Sequence, residues 1–85
     1  MSAQPAGPRR TVVKVCGLTR RADAAHAQAC GADWLGFVVK GGSPRLIAPD
    51  AAGDIVASLD QVIAVAVMVA PSPEEALAIA SRMRA

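Results

Sequence analysis

Thr11-Val12-Val13-Lys14-Val15-Cys16-Gly17 is a short apolar run, rich in β-branched side chains and closed by a glycine. Two runs of the same kind follow. Trp34-Leu35-Gly36-Phe37-Val38-Val39 is closed by Lys40-Gly41-Gly42, and Val62 to Val69 is closed by Pro71. None has a clean polar face, the pattern of strands in a parallel sheet covered on both sides.

Helical periods lie between and after these runs. Thr19 is placed to cap a helix from Arg20 to Cys30, and Gly31 to end it. Pro49 suits the first turn of a second helix reaching about Leu59, although Ala48 is a poor cap. Ser72 and Glu75 form a capping box around Pro73, and Ala76, Ile79, Ala80 and Met83 line one face of the third helix. Arg82 and Arg84 complement its dipole. The order is βαβαβα, with strand starts at 11, 34 and 62 giving a repeat of about 25 residues. Eight such units would make about 200 residues, the lower end of a TIM barrel. The expected fold class is therefore α/β with parallel strands, three βα units over residues 11–85. Residues 1–10, with Pro5, Gly7 and Pro8, read as a disordered leader.

The composition narrows the classes of function. The chain has 85 residues, 53% of them apolar, but 19 are Ala and the aromatics are Trp34 and Phe37 alone. Such a length fits one small domain at most. Nine Lys/Arg against seven Asp/Glu, with no basic run interleaved with aromatics, is unlike a dedicated nucleic-acid binder. Cys16 and Cys30 are 14 positions apart with one His in the chain, which argues against a metal site and reads as two reduced thiols in the cytoplasm. The longest apolar run, Val62 to Ala70, is about half a bilayer span, and no signal-peptide core forms after Arg9 and Arg10.

Chemistry in such units collects after the carboxyl ends of the strands. There stand Cys16-Gly17-Leu18-Thr19-Arg20, then Lys40-Gly41-Gly42-Ser43-Pro44-Arg45, then Ala70-Pro71-Ser72. A helix N-terminus and two cations beside Cys16 favour its thiolate, a nucleophile or general base. The second loop joins glycines to Arg45, whose fork suits a carboxylate, and more loosely a phosphate. The remaining candidates read as structural. His26 faces solvent, and Cys30 packs near a helix end. Asp33 turns or caps before the second strand. Met68 and Met83 fill the core, while Asp50, Asp54, Glu74 and Glu75 sit in helix turns, solvated and complementary to the dipoles.

Val13-Lys14-Val15-Cys16-Gly17-Leu18-Thr19-Arg20 resembles the opening of the phosphoribosylanthranilate isomerase family. Gly31-Ala32-Asp33-Trp34-Leu35-Gly36-Phe37-Val38, Gly42-Ser43-Pro44-Arg45, and Val67-Met68-Val69 with Ser72-Pro73-Glu74-Glu75 follow in the family's order and spacing, over residues 12–83. The resemblance implies a partial (β/α)8 barrel, its N-terminal three units. It also implies an Amadori rearrangement of N-(5-phospho-β-D-ribosyl)anthranilate in tryptophan biosynthesis, with no metal or organic cofactor. In that family the Cys matching Cys16 is the general base at the sugar C2 proton, and the Arg matching Arg45 contacts the anthranilate carboxylate. Gly17 and Ser43 join them as substrate-binding positions.

Three features depart from the family pattern, one being Ala48, which stands where the family has its usual helix cap. Lys40-Gly41 stands where an aromatic-Pro pair is usual, and the family's acid, an Asp of a later strand, and its phosphate loops lie beyond residue 85. The isolated chain is therefore expected to be truncated and without turnover. The expected partners are a phosphosugar-anthranilate substrate, and either a second copy through an open strand edge or a complementary barrel half, with no nucleic acid and no membrane. The competing reading is a non-catalytic barrel remnant that binds anions weakly or self-associates. A different phosphate-sugar barrel is disfavoured by the Cys-Gly and Ser-Pro-Arg pair.

Overall fold

The computed structural model describes residues 11–83. The proposed leader, residues 1–10, and the dipole role read for Arg84 lie outside them. The elements are β1 (Lys14–Val15), α1 (Arg21–Ala29), β2 (Trp34–Lys40), α2 (Pro49–Ala57), β3 (Ile63–Met68) and α3 (Pro73–Arg82). The strands form one parallel sheet in the order β1-β2-β3. Lys14 stands beside Trp34, and Trp34, Gly36 and Val38 stand beside Ile63, Val65 and Val67. The expected α/β order is present, with shorter elements.

The first strand is short because its beginning is held by a side chain. Val13 N–H donates to Asp33 Oδ2 at 2.9 Å, while Val13 carbonyl accepts from Asp33 and Trp34 N–H at 2.8 and 3.2 Å. Asp33 thus does the turn-building work expected of it, at the end of the sheet away from the loops bearing Cys16 and Arg45.

Alternation sorts β2 into two faces. Leu35, Phe37 and Val39 are buried against Leu18, Ala24 of α1, Ala52 and Ile55 of α2, and Met83, which follows α3. Ala64, Ala66 and Met68 of β3 pack on the same cluster. Among the described residues no helix covers the other face: Trp34 is 39% and Ile63 57% exposed. Burial on both sides, expected from the continuous apolar runs, is therefore corrected to burial on one. Among the described residues, the three strands of this open sheet present their second face to no helix, whatever their residue type.

Helix ends follow local chemistry. At the end of α1, Gly31 has φ +103°, and the amides of Gly31 and Ala32 donate to the carbonyls of Gln28 and Ala27 at 3.0 Å each. This is the paired closure that a left-handed glycine permits. At its start, Arg20 and not Thr19 occupies the cap position, with no side-chain bond. Ala48 likewise caps α2 without a side-chain bond. Ser72 Oγ accepts from Glu75 N–H at 3.1 Å, which is one half of the expected box; the Glu75 carboxylate goes elsewhere, as described below.

The second and third helices meet at Gly53, where a Cβ would lie 2.8 Å from Arg82 carbonyl oxygen. Asp50, exposed in the first turn of α2 as expected, also accepts two bonds from the Arg82 guanidinium, at 3.2 and 3.1 Å. That contact holds its carboxyl below the ordinary value, by the hydrogen bond first and the charge second. Among the described residues no helix is long and apolar enough to cross a membrane.

Candidate active site

The backbone leaves β1 at Cys16 and turns sharply. Gly17 has φ +82°, and the amides of Gly17 and Leu18 both donate to Gly36 carbonyl, at 3.1 and 3.2 Å. This turn exposes Cys16 at the carboxyl end of the sheet as a free thiol. The absence of a side chain at Gly36 admits its sulfur: a Cβ there would sit 2.9 Å from Cys16 Sγ.

The loop after β2 brings Arg45 to the same place. Ser43 Oγ accepts from Arg45 N–H at 3.0 Å, Leu46 N–H donates to Ser43 carbonyl at 3.1 Å, and Ile47 N–H returns to Val38 carbonyl at 2.9 Å. The chain is thereby folded back beside β2, where Leu46 pairs with Val38. Arg45 reaches over Gly17, so closely that a Gly17 Cβ would lie 2.7 Å from both its Cδ and Nη1. A side chain at Gly17 would suffer both strain and collision. Cys16, Gly17 and Arg45, 29 positions apart at the extremes, are therefore neighbours in space. Ser43 acts on the Arg45 backbone. Arg45 has no ion-pair partner among the described residues, so its fork is available to a carboxylate.

A second tie links this loop to the next. The register shifts between Val38 and Lys40, re-aiming the end of β2. Lys40 carbonyl accepts from Val69 N–H at 3.1 Å, and Lys40 Nζ donates to Glu75 Oε1 at 2.6 Å. Glu75, expected as a solvated first-turn residue, thus anchors the Arg45 loop to α3. The Lys40 hydrogen bond is the main cause that holds the Glu75 carboxyl below the usual 4.5, with the Lys40 charge and the Ser72 contact adding to it against partial burial. A depressed folded-state value stabilises the fold above the ordinary value and is lost as pH falls through the lowered one. The stability difference between wild type and Lys40→Met, read by urea unfolding, is expected to be full above about pH 4.5 and to vanish in more acid solution.

The other sequence candidates lie apart. His26 is exposed on α1 as expected, with Nε2 3.6 Å from Cys30 Sγ; Cys30 is exposed and not packed, because the last turn of α1 points it outward. A cavity of about 410 Å³ at the amino ends of the strands, between Gln28, Trp34, Asp60 and Ile63, contains none of the candidate site residues. Sequence reading passed over Lys14 and Gly36. The signal was present in the two-residue alternation that puts Lys14 on the Cys16 row.

No family model matches the chain. Individual proteins do. N-(5'-phosphoribosyl)anthranilate isomerase of Herminiimonas arsenicoxydans is 46% identical over 74 residues, 86% of this chain and 33% of that protein. Its namesake in Chlorobaculum parvum is 47% identical over 66 residues, 76% of this chain and 30% of that one. The crystal structure of phosphoribosyl anthranilate isomerase from Thermus thermophilus superposes with a TM-score of 0.83 at 45% identity, over 87% of this chain and 38% of that one. A phosphoribosyl anthranilate isomerase in complex with reduced 1-(o-carboxyphenylamino)-1-deoxyribulose 5-phosphate gives 0.83 at 38% identity, over 88% and 39%. The chain spans about a third of the length of the curated relatives it matches.

Proposed function

Because this chain is related to the phosphoribosylanthranilate isomerases and matches about a third of their length, we propose that it forms the base-bearing part of such an isomerase, acting in tryptophan biosynthesis. The observation that carries this reading is Arg45 packed on Gly17, directly beside Cys16. It sets a carboxylate anchor next to a proton acceptor, as an N-ribosylated anthranilate requires. The Arg45 fork takes the anthranilate carboxylate, Ser43 fixes the backbone from which Arg45 reaches, and Gly17 leaves the room. Cys16, as thiolate, removes the C2 proton of the opened sugar. The electron pair of that C–H bond moves into the carbon–nitrogen system to give an enolamine, which tautomerises to 1-(2-carboxyphenylamino)-1-deoxyribulose 5-phosphate. The acid that opens the ring is, by the family resemblance, an Asp of a later strand than the three described.

In this reading residues 11–85 are the first three βα units, no cofactor takes part, and the protein works in the cytoplasm. The test is a chimera in which residues 11–83 replace the matched segment of the Thermus thermophilus isomerase. It is expected to convert N-(5-phosphoribosyl)anthranilate, followed by loss of the substrate's anthranilate fluorescence. A folded chimera without turnover would overturn the assignment and favour the non-catalytic remnant.

A further inference from the structure

Arg45 stands at the end of a loop whose first half has little stiffness of its own. Gly41 has φ +140°, and a Cβ on Gly42 would meet nothing within 4 Å. The second half is shaped by the Ser43 turn, which rejoins β2 where Ile47 N–H donates to Val38 carbonyl. The first half is fixed from the third βα unit instead. Val69 N–H donates to Lys40 carbonyl, and a Gly41 Cβ would lie 2.8 Å from Val69 Cγ2. Lys40 Nζ donates to Glu75 Oε1 at 2.6 Å, a partly buried contact. Glu75 is itself held, since its amide donates to Ser72 Oγ at the start of α3. A chain of contacts thus runs from the cap of α3 through Glu75 and Lys40 to the loop that carries Arg45.

We propose that Lys40 and Glu75 are positioning residues for Arg45: their ion pair holds the loop in the arrangement that sets the guanidinium over Gly17, ready for the anthranilate carboxylate. This rests on the reading of Arg45 as the carboxylate anchor. Such a tie acts on the population of the binding-ready loop, so its loss weakens apparent affinity and leaves the proton-transfer step unchanged. A partly exposed ion pair limits the effect to a few-fold. Charge separates positioning from direct attraction of the anionic substrate. Lys40→Met removes a cation and Glu75→Gln removes an anion, so attraction by the field would move KM in opposite directions. A shared tie moves it the same way in both.

In the chimera, each of these variants is expected to raise KM for N-(5-phosphoribosyl)anthranilate about threefold with kcat unchanged. The double variant is expected to raise it no further than either single one, and Lys40→Arg to stay near wild type. Opposite shifts in the two single variants, or a double variant whose loss is the product of the two, overturns the proposal. A second readout needs no catalysis. In the 85-residue chain, hydrogen exchange of the Arg45 and Leu46 amides is expected to quicken about threefold in either single variant, with the Gly31 and Ala32 amides unchanged as reference. Exchange unmoved at Arg45 and Leu46 overturns the proposal as well. An inactive chimera together with the expected exchange pattern supports the tie and removes the assigned reaction only. An active chimera whose KM is unmoved by both changes removes the positioning role only.

Discussion

Cys16→Ser in the chimera is expected to lower kcat by about 10²–10⁴, the usual worth of a positioned general base. A hydroxyl at this position keeps nearly the same size and can still hydrogen-bond, but it does not supply an anionic base near neutral pH. The loss should fall on kcat and kcat/KM alike, since proton removal is felt in the transition state and not in ground-state binding. Arg45→Met serves as the contrast, with its main effect on KM, because a carboxylate anchor acts before and during the reaction. Folding offers no competing explanation for the first result. Cys16 is exposed and outside the buried cluster, so unfolding midpoints of Cys16→Ser and wild type should coincide. Retention of wild-type kcat in Cys16→Ser would remove the base from this residue.

Phe37→Ala is expected to have the largest effect on stability. Phe37 is the largest fully buried side chain and lies on the helix-covered face of β2. Truncation of a buried Phe costs about 3–5 kcal/mol in lost transfer energy and residual cavity. A domain of this size is stable by roughly 4–11 kcal/mol, so the variant should lose a large fraction of its stability, with a clearly lowered unfolding midpoint. Urea unfolding followed by circular dichroism reads the loss. Trp34, the other aromatic, is 39% exposed on the opposite face, and Trp34→Ala should cost much less. The reverse order would mean that the bare face, and not the helix-covered one, holds the fold together.

Much of this arrangement could be read from the sequence. β-branched runs closed by Gly or Pro placed three strands, Pro49 and Pro73 began two helices at the residues expected, and Gly31 closed the first. The carboxyl-end rule put Cys16 and Arg45 in the loops where they stand. Other features depend on relations the sequence does not encode locally. An apolar strand residue signals a tolerance for burial, but whether its second face is covered depends on which elements lie beyond it, so Trp34 and Ile63 were misjudged. A capping box is a local pattern, but Glu75 has a competing partner 35 positions away in Lys40, and that partner takes the carboxylate. Arg20 displaces Thr19 at the start of α1 although it contributes no side-chain bond there.

The small space at Gly36 also bears on how this site can change through mutation. Position 16 opens to solvent, so residues of different proton affinity can be tried there without disturbing the fold. Position 36 has no such freedom: even one methyl group would press on the sulfur, the Lys14 stem and the strand backbone together. Adaptation of this surface to another substrate is therefore channelled through the residue that performs the chemistry, while the blank residue opposite it stays fixed.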